Sequence, residues 1–440
     1  MQRGDFLIKI KAPALFTKDK TMAHKEPREI RFIFADFHMG EGEKDGKINP
    51  LELFNADSEF CHTVDNIMET HGSCGAQLEL NLNGDTFDFL RVPFHGRIKA
   101  EPTEEAAIEK IKIIFSAHPL VVETWRKFLS RGGKIKFFIG NHDLELVWPN
   151  VQNFIRQELS KNQSHNIDSR IEFLFEEIKN GVHISHGNNA EWNSTVRPEK
   201  VFLTKRLGQP LNPPLLRHPY GNHLVTDQAN VLSRGTKLFK GNWWVGRVEP
   251  HRFVILEALA KNKWFALWAI IIWFITPFCH RFSRRWWVRK SASLWTLFRL
   301  NWNSLVVAAY NKLRGKDFTD YAKKILAENK NIDVVISAHI HTCILIKTKD
   351  NTIMFTGNGS TAYDWEMPKL DLKWKRFRRL EKALRYLAII RRMFNPKTRH
   401  LYAPQKREFI SFGICKFFGD GRKEVALMRY DPKEDCLKNI

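Results

Sequence analysis

The 440 residues suffice for one large domain with insertions or for two or three domains, and an apolar fraction of 43% supports a real core and excludes wholesale disorder. A formal net charge of +22 calls for a polyanionic partner: nucleic acid, an anionic membrane or a phosphorylated substrate. The six cysteines form no C-x-x-C pair, which excludes zinc ribbons and thioredoxin-like redox motifs; their scatter fits a reducing cytosol.

In chain order, residues 1–28 read as a polar lead-in. The start, MQRGDFLIKIKAPALF, lacks a continuous apolar run and a small-residue cleavage site, so no signal peptide is expected. Residues 28–40 (REIRFIFADFHMG) and 77–90 (QLELNLNGDTFDFL) read as strands that end in polar residues. Helical patterning covers 103–130, with PTEEAAIEK as its capped start. The third strand unit, KIKFFIGNHDLELVW (134–148), carries an apolar run straight into Gly140, Asn141, His142 and Asp143. GVHISHGNNAEW (181–192), NIDVVISAHIHTCILI (331–346) and TIMFTGNGS (352–360) repeat the pattern, and EFISFGICKFF with EVALMRYD reads as a closing hairpin.

Strands alternating with helices predict an α/β layered fold. In such folds sites assemble beyond the C-terminal ends of strands. The sequence divides into a core in two parts (29–205 and 326–366), a helical tryptophan-rich insert (206–325), a basic amphipathic helix (367–400) and a C-terminal hairpin and tail (401–440).

The polar strand ends form a set: Asp36-x-His38, Asp85 after glycine, Asn141-His142, His186 before glycine, and His339-x-His341. Mixed oxygen and imidazole donors suit a borderline divalent metal better than calcium, which takes oxygen alone. They are too many for one ion; two ions sharing one carboxylate would use them all. Taken singly, each is an ordinary polar residue, as the histidines outside these blocks are read to be, His118 and His218 among them. Five ordered blocks, each at a strand end, carry the signal.

The order D-x-H, G-D, G-N-H-D, H-G, x-H-x-H resembles the calcineurin-like metallophosphoesterase family over about residues 32–360. The resemblance implies a four-layer α/β sandwich and two divalent metal ions, manganese first, with iron, zinc or cobalt as alternatives. It implies that Asp36, His38 and His341 hold one ion, that Asn141, His186 and His339 hold the other, and that Asp85 bridges them. It places His142 near the leaving group or a phosphate oxygen. Ala338 stands where the family usually carries glycine. Asp143, by adjacency, is a candidate to orient an imidazole. Asp88 is a candidate for the same layer or for a helix-start carboxylate. Asn188 and Arg197 are candidates to touch substrate, with ordinary loop polarity equally open.

Nine of the 14 tryptophans lie between 243 and 302, around the run WFALWAIIIWFITPF (264–278). That run is short for a membrane span, which needs about 20 residues. A single crossing would also put His186 and His339 on opposite faces of a bilayer. The insert, with LWTLFRLNWNSLVVAAY (294–310) as a companion helix, and the basic segment 370–394 together predict attachment to the inner face of an anionic membrane. The predicted function is a cytoplasmic, peripherally bound phosphoesterase acting on a phosphorylated or nucleotide-linked lipid. The layout is similar to that of bacterial UDP-2,3-diacylglucosamine pyrophosphohydrolases, which commonly carry arginine at the place of His142. The alternative is a nuclease or nucleotide phosphodiesterase that uses the basic helix for the phosphate backbone.

Overall fold

The computed structural model describes residues 26–43, 49, 51–161, 167–191, 193–206, 209–226, 230, 248–249, 318–341, 343–357, 363–364, 405–406, 410–431 and 436–439. The run 264–278, its companion 294–310 and the basic segment 370–394 lie outside them.

The first half of the chain contains β1 (Pro27–Phe34), α1 (Asp57–His71), β2 (Gln77–Asn83), α2 (Glu104–Ala117), α3 (Pro119–Ser130), β3 (Lys134–Phe138), α4 (Pro149–Ser160), β4 (Ile171–Leu174), β5 (Glu176–Lys179) and β6 (Val182–Ser185). There follow β7 (Phe202–Arg206), β8 (Gln209–Leu216), α5 (Tyr220–Leu224), β9 (Val248–Glu249) and α6 (Phe318–Glu328). The chain closes with β10 (Val334–Ser337), β11 (Cys343–Lys347), β12 (Thr352–Thr356), β13 (Tyr363–Asp364), β14 (Gln405–Lys406), β15 (Ser411–Phe418), β16 (Lys423–Asp431) and β17 (Cys436–Asn439).

The result is a mixed α/β architecture with two principal sheets. One has the order β17-β16-β15-β1-β2-β3-β4, the other β11-β12-β10-β6-β5. Strands β1 to β4 are parallel, as are β6, β10 and β12. The expected closing hairpin is β15–β16, and it pairs antiparallel with β1, so the end of the chain widens the sheet its beginning starts. Strands β9, β13 and β14 form a minor sheet. The expected start of the insert at 206 falls at the end of β7, inside the β7–β8 hairpin.

Alternation along the strands assigns the cores. Phe32, Phe34, Leu80, Leu82 and Phe137 point to one side and bury against helices α1 to α4, with Trp125 wholly enclosed. Ile33 and Phe138 point the other way and meet Val182, Ile184, Ile336 and Met354 of the second sheet. The far side of that sheet packs Val335, Ile353 and Phe355 on Ala322 of α6. The two sheets are also tied by charge: buried Arg31 of β1 and Lys136 of β3 both reach Glu177 of β5, at 2.7 and 2.6 Å.

The helical pattern over 103–130 resolves into two helices. Thr103 caps the first through Oγ1 and the Ala106 N–H. Pro119 ends it, because a proline lacks the N–H that the helix needs and disfavours helical backbone at His118; the same proline then opens α3 at its first position.

Candidate metal centre

Every residue of the predicted set lies just past a strand. Asp36 and His38 follow β1, Asp85 follows β2, Asn141 and His142 follow β3, His186 follows β6, and His339 and His341 follow β10. Because β1, β2 and β3 are parallel in one sheet and β6 and β10 in the other, the five loops open at one edge of the stacked sheets.

The turns that deliver these side chains are unusual. Asp36, His38, Asp85, His339 and His341 all have positive φ, between 50 and 68°. That region costs non-glycine residues on the order of 1–3 kcal/mol each and persists only where surroundings enforce it. Cross-strand bonds do so here: Asp36 N–H donates to Gly84 O at 3.1 Å and His38 N–H to Asp85 O at 2.8 Å.

The side chains converge in three overlapping groups, Asp36 with His38 and His341, His38 with Asp85 and His142, and Asp85 with His186 and His339; within each group the candidate ligand atoms lie within 4.8 Å of one another. Asp85 belongs to the second and the third, with Oδ2 3.2 Å from His186 Nε2 and 3.7 Å from His38 Nε2. Asn141 lies beside them with its Oδ1 buried and unpaired, as is Oδ1 of Asp36.

Surrounding groups fix which nitrogen of His186 and of His38 faces inward. His186 Nδ1 is 2.9 Å from the Asn83 carbonyl, so it donates there and leaves Nε2 for the site. His38 Nδ1 is 3.1 Å from Asp88 Oδ2, and its Nε2 lies 3.2 Å from His341 Nε2. Holding the outer nitrogen on a carbonyl or carboxylate is how proteins present imidazole to metals. Two buried, unpaired oxygens and two aimed imidazole nitrogens make a donor set that fits divalent cations.

The charges agree. Burial alone would raise the Asp85 carboxyl, but His186, His142 and His38 hold it well below the usual carboxylate range. Burial opposes charge on His186, yet Asp85 and Asp36 outweigh it and raise the imidazole to about 10. A field that draws a proton this strongly also draws a metal ion, which enters by displacing it. His38 goes the other way: burial lowers it, and the neutral ring is the form that ligates.

Of the four less central candidates, Asp143 takes a different place from the one its adjacency suggested. Asp143 does not orient an imidazole; its carboxylate accepts from the backbone N–H of Gly140 at 2.7 Å and of Thr86 at 2.8 Å, tying the Asn141 loop to the Asp85 loop. Asp88 does that work, with Oδ1 3.1 Å from His142 Nδ1 and Oδ2 on His38, and no helix starts there. Asn188 spends its amide on Ser194 O at 2.7 Å. Arg197 is exposed at the start of a 3-10 turn, and among the described residues its side chain makes no hydrogen bond or ion pair.

Sequence reasoning did not single out Asn83, Glu191 or Asn222. Glu191 Oε2 lies 3.3 Å from His339 Nε2, and Asn222 Nδ2 donates to Asn141 O at 2.7 Å. Nothing local marks Asn222, which reaches the site from 81 residues away.

No family model matches the chain, and no curated protein matches it. Among solved structures, a dimetal phosphatase from Danio rerio aligns over 92% of this chain and 96% of its own, with 10% identity and a TM-score of 0.31. So slight a likeness carries no argument, and the reading of the site rests on its own geometry. No helix among the described residues is long and apolar enough to cross a membrane.

Proposed function

We propose that the chain is a dinuclear metal-dependent phosphoesterase, built on the four-layer sandwich of the calcineurin-like enzymes. One observation carries this reading: two donor groups, Asp36–His38–His341 and Asp85–His186–His339, buried but for the half-buried His341 and His339, meet at Asp85. Asp36, His38 and His341 would hold one ion, Asn141, His186 and His339 the other, and Asp85 both. Bound there, the ions supply positive charge to phosphoryl oxygens and a water acidic enough to attack near neutral pH.

The chain's own residues supply the rest. His142 keeps 13% of its side chain exposed. Burial works against its charge, but Asp88 and Asp85 prevail and raise it. Its proton is held more firmly than that of a free imidazole, and it can place that proton against a phosphoryl oxygen or pass it to the departing oxygen. Asp88 keeps Nδ1 occupied, which leaves Nε2 as the nitrogen that faces substrate.

For the substrate we propose a phosphorylated or nucleotide-linked lipid at an anionic membrane surface. The tryptophan-rich run 264–278 and the basic segment 370–394 support it. Manganese is the first ion to try.

The test begins with protein stripped by a chelator. It should bind two equivalents of Mn²⁺ and hydrolyse bis(p-nitrophenyl) phosphate, and Asp85→Ala should lose both properties. Two ions bound tightly by Asp85→Ala would exclude the bridging role. Failure of the wild type to cleave any phosphoester with Mn²⁺, Fe²⁺, Zn²⁺ or Co²⁺ would exclude the function.

A further inference from the structure

The peptide unit between Asn141 and His142 is gripped at both ends. Its N–H, on His142, donates to Asp85 Oδ1 at 2.8 Å. Its carbonyl, on Asn141, accepts from Asn222 Nδ2 at 2.7 Å. The planar unit includes the Cα atoms of both Asn141 and His142, so holding it at both edges holds the two points from which those side chains leave the chain. The bridging carboxylate holds one end of the plane, and a residue from a distant stretch of sequence holds the other.

Asn222 is itself held through its amide nitrogen, while its Oδ1 is buried without a hydrogen-bond partner. It is wholly buried. Its second amide hydrogen points to His218 Nδ1, 3.1 Å away, and His218 Nε2 is 3.1 Å from Glu101 O. The pattern is consistent in only one tautomer, with the proton on Nε2 and Nδ1 accepting. Burial favours that neutral ring, lowering His218 to about 4. Its backbone is held as well, through Gly221 N–H on Asn193 O at 2.7 Å and Asn222 N–H on Pro219 O at 3.1 Å. A side chain this constrained can transmit position and not merely fill space.

We infer that Asn222 is a positioning residue of the metal centre: through the Asn141 carbonyl it sets the aim of Asn141 toward the second ion and of His142 toward substrate. The stretch expected to form the insert is thereby part of the centre at its very start, since Asn222 lies within 206–325. The inference rests on the metal-centre reading above. Partners of this kind typically change metal affinity or activity by about 10–100-fold when removed.

The experiment compares Asn222→Leu, which keeps size and removes the donor, with Asn222→Gln, which keeps an amide donor on a longer stem. Mn²⁺ binding is followed by calorimetry on the chelator-stripped full chain, and folding by near-ultraviolet circular dichroism. In Asn222→Leu the weaker of the two Mn²⁺ equivalents should lose about 10–100-fold in affinity while the tighter one holds, and kcat on bis(p-nitrophenyl) phosphate should fall by a similar factor with little change in KM. Asn222→Gln should recover part of both losses. Wild-type affinities in a folded Asn222→Leu would overturn the inference, and so would equal weakening of both sites. If Asn222→Leu does not fold, Asn222→Ser, which also removes the amide, decides: a selective loss at one site upholds the inference, and two unaltered sites overturn it. A wild type that binds no Mn²⁺ would instead overturn the metal centre itself, and this inference with it.

Discussion

Asp88 holds His142 and His38 at once, one carboxylate oxygen 3.1 Å from Nδ1 of each ring. The two imidazoles stand edge to face, with ring centres 4.6 Å apart. One carboxylate therefore aims together the ring proposed to face metal and the ring proposed to face substrate. It also sets their charge: it raises His142, although for His38 burial prevails and the ring stays neutral.

Replacement of Asp88 by asparagine should separate these effects. The amide keeps the shape and removes the charge, so the pKa of His142 should fall. If His142 works protonated, activity is lost as pH rises through that pKa. The alkaline limb of the kcat profile should then move to lower pH in Asp88→Asn, with a loss of about 10–100-fold at the wild-type optimum. An alkaline limb that stays in place would show that His142 does not act as an acid.

Gly140 explains why the third block must begin with glycine. A methyl group there would run into Oδ1 and the backbone nitrogen of Asp85. The bridging carboxylate would have to move, so Gly140→Ala should weaken Mn²⁺ binding by about 10-fold or more. Gly132 is the control. It has φ of +88° and open space around it, so alanine there costs on the order of 1 kcal/mol through backbone strain alone. Calorimetric titration of both variants should show Mn²⁺ affinity lost in the first and kept in the second.

The convergent donor residues were legible because each sits where an apolar strand ends, a local pattern that survives without knowledge of the fold. The strand ends at Phe34, Asn83, Phe138, Ser185 and Ser337 were readable for the same reason. What surrounds the ligands was not. Adjacency pointed to Asp143 as the partner of an imidazole, but its side chain turns back onto the Gly140 and Thr86 amides, and Asp88 from the loop after β2 takes that place. His218 had no distinguishing neighbour in the sequence and lies behind Asn141 only because the chain after β8 returns to the core. The division at Pro119 was visible as a proline, yet apolar periodicity runs through it, since α2 and α3 both bury a face against the same sheet.

His118 offers a test of stability away from the centre. Its Nδ1 lies 2.9 Å from Asp57 Oδ1 and its Nε2 3.5 Å from Glu52 Oε2. Burial opposes the charged ring, but the two carboxylates prevail and raise it to about 9. A folded-state pKa above the unfolded value of about 6.5 means the pair stabilises fully below that pH and stops doing so as pH rises through about 9. The shift corresponds to something on the order of 3 kcal/mol. His118→Gln should therefore melt well below the wild type at about pH 6, and the gap should close by about pH 10. The loop after β1 should report the same loss, because Glu52 also accepts from the N–H groups of Gly40 and Gly42. A gap that does not change with pH would show that His118 contributes by packing alone.

Attachment to a membrane is predicted from two sequence features of different kind. The run 264–278 supplies tryptophan and aliphatic surface, and the segment 370–394 supplies lysine and arginine. Each basic residue near an anionic bilayer contributes about 1 kcal/mol, and the effect is screened by salt; apolar insertion is not. Stable attachment takes two such signals. The protein should therefore sediment with phosphatidylglycerol vesicles and much less with phosphatidylcholine vesicles. High salt should release part of it and detergent the rest. Replacing Trp264, Trp268 and Trp273 with serine should remove the salt-resistant fraction and impair hydrolysis of a lipid phosphoester. Cleavage of bis(p-nitrophenyl) phosphate should persist, because none of the three belongs to the ligand set. Equal loss of both activities would make the run a structural core and end the membrane reading, whereas sedimentation abolished by salt alone would assign the binding to the basic segment.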